Sequence, residues 1–127
     1  MRWSFQSEDA ASALRARTDL LAYLASRATS DSDIDSAVLI FGELVGNVVR
    51  HAPGPISVEV DWHNGAAVLR VFDCGPGFEF TGTSQPDPFS ESGRGLFIVD
   101  QIAEQLEIVR LPKGTQATAY LPVRMVG

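Results

Sequence analysis

Between Ile56 and Asp73 the chain spells a hairpin. In ISVEVDWH, Ile56, Val58, Val60 and Trp62 alternate with Ser57, Glu59, Asp61 and His63, the period-two pattern of a half-buried strand. Asn64-Gly65 follows, a pair suited to a two-residue turn with positive φ at both central positions. The returning segment AAVLRVFD sets Ala67, Leu69, Val71 and Asp73 on one face. A sheet with one apolar face must be covered by another layer, and the flanking segments supply helices for it.

The opening MRWSFQ also alternates, with Trp3 and Phe5 on one side and Arg2, Ser4 and Gln6 on the other, so it reads as a strand. Ser7 is the expected N-cap of a helix running to about Arg27, with Glu8 and Asp9 at its positive end. Ala10, Leu14, Leu21, Ala25 and Ala28 are read as its apolar stripe. Ser30 to Asp33 offers caps for a second helix, from Ile34 to His51 or Ala52, whose stripe is Ile34, Val38, Phe41, Val45, Val48 and Ala52. Pro53-Gly54-Pro55 ends it. After the hairpin, about 18 residues from Gly75 to Ser92 are rich in Gly, Pro, Ser and Thr, a length of loop that is usually functional or mobile. A third helix is expected from about Gly95, with Leu96, Val99, Ala103 and Leu106 on its stripe. Strands near Leu106–Arg110 and Thr115–Leu121, joined at Pro112-Lys113-Gly114, close a βααββαββ order. This predicts one α+β domain over residues 1–127: a two-layer α/β sandwich with one mixed, mostly antiparallel sheet covered by helices.

Bulk properties narrow the function. The chain has 127 residues, 45% hydrophobic and 20% charged, the balance of a folded domain. Its net charge of −6 repels phosphate backbones and argues against direct nucleic-acid binding. No apolar run approaches the ~20 residues of a membrane span, and MRWSFQSEDA lacks the apolar core of a secretory signal. One cysteine, Cys74, gives no internal disulfide and fits a reducing cytoplasm.

Chemistry concentrates at four places. Glu43 and Asn47, four residues apart, share a helix face that the stripe above places opposite the apolar side. Such a pair is ordinarily a solvated face. Gly42 and Gly46 in the same helix each cost about 1 kcal/mol against alanine and suggest that something packs closely there. An amide beside a carboxylate suits magnesium chemistry, the amide ligating a hard cation while the carboxylate accepts a proton. Asp73, at the end of a strand and on its core face, precedes Cys74-Gly75-Pro76-Gly77; an inward carboxylate needs a backbone donor or a ligand donor such as an adenine amino group. Ser92-Gly93-Arg94-Gly95-Leu96 opens the third helix, where exposed N–H groups and the helix dipole receive phosphate. Thr115, after Gly114, shares an inward face with Ala117, Ala119 and Leu121.

The ordered set E-L-V-G-N, D-C-G-P-G, G-R-G-L and G-T resembles the GHKL ATPase superfamily of gyrase, heat-shock chaperone, histidine kinase and mismatch-repair ATPases, from Trp3 to Pro122. Within it the chain looks most like the bacterial anti-sigma-factor serine kinases: Glu43 to Ala52 reads ELVGNVVRHA against their Glu-Leu-Val-x-Asn-x-Val-x-His-Ala. The resemblance implies the Bergerat ATP-binding fold, with ATP and magnesium as cofactors. Asn47 would hold the metal, Glu43 would be the base for an attacking serine, and Asp73 would accept from the adenine amino group. Gly75 and Gly77 would line the nucleotide, Gly77 letting the base approach. Gly93, Arg94, Gly95 and Leu96 would follow the phosphates, and Thr115 would bind adenine. Arg17 matches a first-helix arginine used for the protein partner. The partners implied are an anti-sigma-factor antagonist and a sigma factor, with a homodimer as the assembly. The Gly77–Gly93 segment is short, with prolines at 76, 86 and 88, and a short lid bears on rate more than on binding. Two other readings stand beside the kinase: a nucleotide-gated binding module without transferase activity, and a stand-alone histidine-kinase catalytic domain. The first has no use for Glu43, and the second usually carries an amide there.

Overall fold

The computed structural model describes residues 1–51, 54–73, 99, 101–111 and 114–126. Five strands form one sheet: β1 (Arg2–Gln6), β2 (Pro55–His63), β3 (Ala66–Asp73), β4 (Gln105–Leu111) and β5 (Gly114–Arg124). Their order across the sheet is β1-β2-β3-β5-β4, and all four pairings are antiparallel. Two helices, α1 (Ala10–Arg27) and α2 (Ile34–His51), cover one face. This is the expected α+β sandwich. The expected start of a third helix lies outside the described residues. Near its end, Val99, Gln101 and Ile102 have helical backbone, and Ala103 N–H donates to the Val99 carbonyl. Leu106, assigned above to that helix's stripe, belongs to β4 instead.

The hairpin turns at Asn64 and Gly65, both with positive φ (51° and 80°), and its register sets Val58 opposite Val71 and Val60 opposite Leu69. These residues join Leu20, Leu24, Ile40, Phe41, Leu44, Ala119 and Leu121 in the core. On the stripe read for α2, Val38, Phe41, Val45 and Val48 are buried and Ile34 is half-buried; Ala52 lies outside the described residues.

The stripe read for α1 is not buried. Ala16, Leu20 and Leu24 are buried, while Leu14 and Leu21 are 61% and 40% exposed. Two apolar rows lie side by side on this helix, and the sequence alone gives each the same period. The row of Ala16, Leu20 and Leu24 packs into the core, and the ring N–H groups of Trp3 and Trp62 donate to Asp19 and to the Tyr23 hydroxyl on the same helix. The N-cap also differs from expectation. Asp9, not Ser7, accepts the Ser12 N–H, because Ser7 instead accepts from Gly54 N–H and ties the end of β1 to the entry of β2. Asp33 caps α2 through Ser36. Among the described helices none is long and apolar enough to cross a membrane.

Candidate functional site

Three polar side chains are buried in the described part of the core: Asn47 at 1%, Asp73 at 4% and Thr115 at 1% exposure. Burying a polar group costs free energy unless it is bonded, so each requires an account. Asp73 is the last residue of β3 and Thr115 the second of β5, and the two stand directly opposite each other. Both lie on the helix-facing side, as the alternation of β3 and β5 predicts. Ile56, near the start of β2, faces Asp73 from the other side. The chain passes from the end of α2 at His51 to the start of β2 at Pro55 within four residues. The last turn of α2 therefore lies at the same end of the sheet as the Asp73–Thr115 row, and Asn47 is one turn before that end.

Asn47 is not on a solvated face. Its neighbours Leu44, Val45 and Val48 are all buried, and α2 packs on β5 and β3. The stripe read from the sequence was too narrow: Ala37, Ile40, Leu44 and Asn47 form a second buried row beside it. Both polar atoms of the Asn47 amide and the Thr115 hydroxyl lack a hydrogen-bond partner among the described residues. A buried amide without partners costs about 1–3 kcal/mol. Such residues fit a site whose partner is a bound molecule: an amide oxygen that can ligate a cation, and a hydroxyl beside a carboxylate that can read a polar ring edge. The described residues hold no cluster of three or more His, Cys, Asp or Glu.

Glu43 is half-buried, one turn before Asn47. The close packing expected around the glycines is absent among the described residues. A β-carbon on Gly42 would meet nothing within 4 Å, and one on Gly46 would meet only the Arg50 guanidinium, at 3.6 Å. Arg50 was not singled out from the sequence; its signal there is the seven-residue step from Glu43, two helical turns on one face. Arg17 is exposed and lines an open groove of about 370 Å3 with Leu21, Asp35, Val38, Leu39 and Gly42. Gly75, Gly77, Gly93, Arg94, Gly95 and Leu96 lie outside the described residues.

A model of the histidine kinase-like ATPase domain matches residues 5–121. The chain belongs to that family. A histidine kinase-like ATPase domain is by that description one that uses ATP, and the buried, unpartnered donors and acceptors agree with it. A search of curated proteins returned no match. Among solved structures, the RsbU and RsbW domains of Rv1364c from Mycobacterium tuberculosis superpose with a TM-score of 0.65 at 20% identity, over 100% of this chain and 35% of that one. The Acinetobacter baumannii histidine kinase AdeS gives 0.60 at 16%, over 100% of this chain and 68% of the other. The histidine kinase domain of the Erythrobacter litoralis EL346 blue-light activated kinase gives 0.56 at 19%, over 89% and 60%. At these identities the likeness is one of fold. The chain spans about a third of the length of the first of these.

Proposed function

We propose that this domain binds magnesium-ATP at the α2 end of the sheet and transfers its terminal phosphoryl group to a serine of a small antagonist protein, in the manner of an anti-sigma-factor kinase. The observation that carries the reading is the Asn47 amide, buried at 1% exposure with neither polar atom bonded. Folding retains such a group at a cost, and binding a metal-bearing phosphate chain repays it.

In this reading Asn47 holds magnesium, which would neutralise charge on the phosphates. Asp73 and Thr115 hold the adenine edge. Gly75 and Gly77 line the base, and Gly93, Arg94, Gly95 and Leu96 follow the phosphates. The Glu43 carboxylate accepts the proton of the attacking serine hydroxyl as that oxygen bonds to the terminal phosphorus and ADP departs. Arg17, exposed beside Leu21 and Leu39, contacts the protein partner, an antagonist or a sigma factor. The fold shared with the RsbW-containing structure agrees with partner switching, as does a carboxylate at position 43, which a pure binding module would not need. A homodimer is the expected assembly, in the cytoplasm.

Calorimetric titration with magnesium-ATP, followed by transfer of labelled phosphate to a serine-bearing partner, tests the reading. Saturable binding that depends on Asp73 supports it. Binding without transfer to a verified partner replaces the kinase with a nucleotide-gated binding module, and no binding removes the ATP assignment.

A further inference from the structure

The sheet ends at β1 on one side and at β4 on the other. The phase of the β1–β2 ladder decides where each backbone group of β1 points. Met1 and Val60 exchange both bonds: the Met1 amine donates to the Val60 carbonyl, and the Val60 N–H to the Met1 carbonyl. In an antiparallel pair such bonded positions recur at every second residue, so Trp3 and Phe5 bond to Val58 and Ile56 in the observed register. The Ser7 N–H, donating to the Gly54 carbonyl, continues the series. The backbone groups of Arg2, Ser4 and Gln6 therefore point away from the sheet. Among the described residues only the Gln6 carbonyl of this set is bonded, by the Asp9 N–H. An open groove of about 370 Å3 lies beside this edge, with Ser4, Gln6, Asp9 and Ser12 in its lining.

An edge with free N–H and C=O groups is a template for another strand. Two properties of β1 select a second copy of this chain as that strand. The first is register. Only outward groups can bond across the edge, so two antiparallel copies must match Arg2, Ser4 and Gln6 with one another. All three are used when Ser4 faces its own symmetry mate and Arg2 faces Gln6. Sliding by two residues either way leaves an outward residue without a partner. In the matched register Trp3, which is half-buried, stands opposite Phe5 of the second copy on the helix side, an aromatic cross-strand pair.

The second property is charge. Exposed Arg2 lies at one end of the strand, and exposed Glu8 and Asp9 lie just past the other. Antiparallel pairing brings Arg2 of each copy beside the acidic pair of the other, within reach of a long side chain. Two chains of net charge −6 repel at long range, so an interface between them needs local pairing of opposite charges. This edge supplies it at both ends.

We propose that two copies of this chain join edge to edge through β1, Ser4 against Ser4, making their sheets continuous. The proposal rests on the homodimer reading above and names its surface. The contact is isologous, so every bond in it occurs twice.

Sedimentation equilibrium of the whole chain over a wide concentration range tests it, with thermal melts of each variant because Arg2 also pairs with Glu59. Ser4→Pro removes the central outward N–H and spares the β1–β2 ladder. It should weaken dimerisation about 10-fold or more, the scale of two lost hydrogen bonds. Arg2→Glu and Glu8→Lys each set like charges together at both ends, and each should weaken the dimer. Mixed in equal amounts they should dimerise again, because a mixed pair has opposite charges at both ends. Damage to the fold would not be repaired by mixing. Should Ser4→Pro melt too low to measure, the charge-swapped pair decides alone. A dimer indifferent to Ser4→Pro, or a mixture no more dimeric than its parts, overturns the proposal and leaves the homodimer to another surface. A wild type that stays monomeric throughout removes the homodimer reading and this proposal together.

Discussion

Asp73 and Thr115 face each other across β3 and β5, on the helix side of the sheet, with 4% and 1% of their surface exposed. The Thr115 hydroxyl has no partner among the described residues. Elsewhere in the same cross-strand rows the inward pairs are apolar, Val71 with Ala117 and Leu69 with Ala119. A polar pair closing an apolar ladder at the α2 end is what an adenine edge would require: an acceptor and a hydroxyl at fixed spacing in a dry setting.

The first prediction follows from that pair. Asp73→Asn keeps the shape but can present a donor where an acceptor is needed. It should weaken ATP about 10- to 100-fold, the range expected for loss of a charged hydrogen bond. Thr115→Val should weaken ATP less and raise the melting temperature of the nucleotide-free protein, because it removes an unbonded buried hydroxyl. Calorimetry and thermal melts read both. ATP affinity indifferent to Asp73→Asn rules out this carboxylate as the adenine acceptor.

Glu43 supplies the second. It is half-buried one turn before Asn47 and is not assigned to the metal. Glu43→Gln should hold ATP affinity within a few-fold while phosphoryl transfer falls by about 10²–10⁴, the usual contribution of a general base. Transfer at the wild-type rate dismisses Glu43 as the base.

How much of this was legible in the sequence depends on which face each residue occupies. Strand alternation has a period of two, so one inward residue fixes all the others; Asp73 and Thr115 were placed correctly from Leu69 and Ala117. Helices give no such certainty. On α1 the row of Leu14 and Leu21 competes with that of Leu20 and Leu24, and only packing against α2 and the sheet chooses between them. On α2 the buried arc is wide enough to include Asn47, so a residue read as solvated is in the core. The Gly46–Arg50 contact had no signature beyond spacing, because it depends on where a long side chain comes to rest.

The misread stripe on α1 has a consequence. Leu14, Leu21 and Leu39 are exposed at 61%, 40% and 45%, and Arg17 and Gly42 share a groove with Leu21 and Leu39. Gly42→Ala introduces a carbon that meets nothing within 4 Å among the described residues, so it should stabilise the free domain by up to about 1 kcal/mol. If the partner seats in this groove, Gly42→Ala and Arg17→Ala should both weaken the protein complex while leaving ATP affinity unchanged. Pull-downs equal to wild type for both variants place the partner elsewhere.

Part of the acid sensitivity should reside in the helix caps. Asp9 and Asp33 each accept from a serine hydroxyl and from its backbone N–H. The side-chain bonds first, and then the backbone bonds, hold both carboxyls below their ordinary range. The unfolded chain takes up these protons near pH 4, the folded chain only at lower pH. Their contribution is therefore complete above about pH 4 and lost as pH falls through the folded-state values. Asparagine keeps a capping oxygen but does not titrate. The Asp9→Asn/Asp33→Asn double variant should melt close to wild type at pH 7 and lose less melting temperature between about pH 4 and pH 2. Parallel declines would place the acid-sensitive groups elsewhere.

Asn47 gives the sharpest contrast, because stability and function should move in opposite directions. Its amide is buried with both polar atoms unbonded among the described residues, between Leu44 and Val48 on a face otherwise apolar. Asn47→Leu, close in volume, replaces two unsatisfied atoms with apolar surface. The nucleotide-free variant should gain about 1 kcal/mol or more, which is a few degrees in melting temperature for a domain of this size. The same change removes the oxygen assigned to magnesium, so saturating magnesium-ATP, which should raise the wild-type melting temperature by mass action, should leave the variant unmoved. A variant that melts lower without nucleotide would mean that the amide is satisfied in the free protein. One still stabilised by magnesium-ATP would remove Asn47 from the metal site. A gain in stability coupled to loss of the ATP shift is the result expected of a polar group held in the core for a ligand.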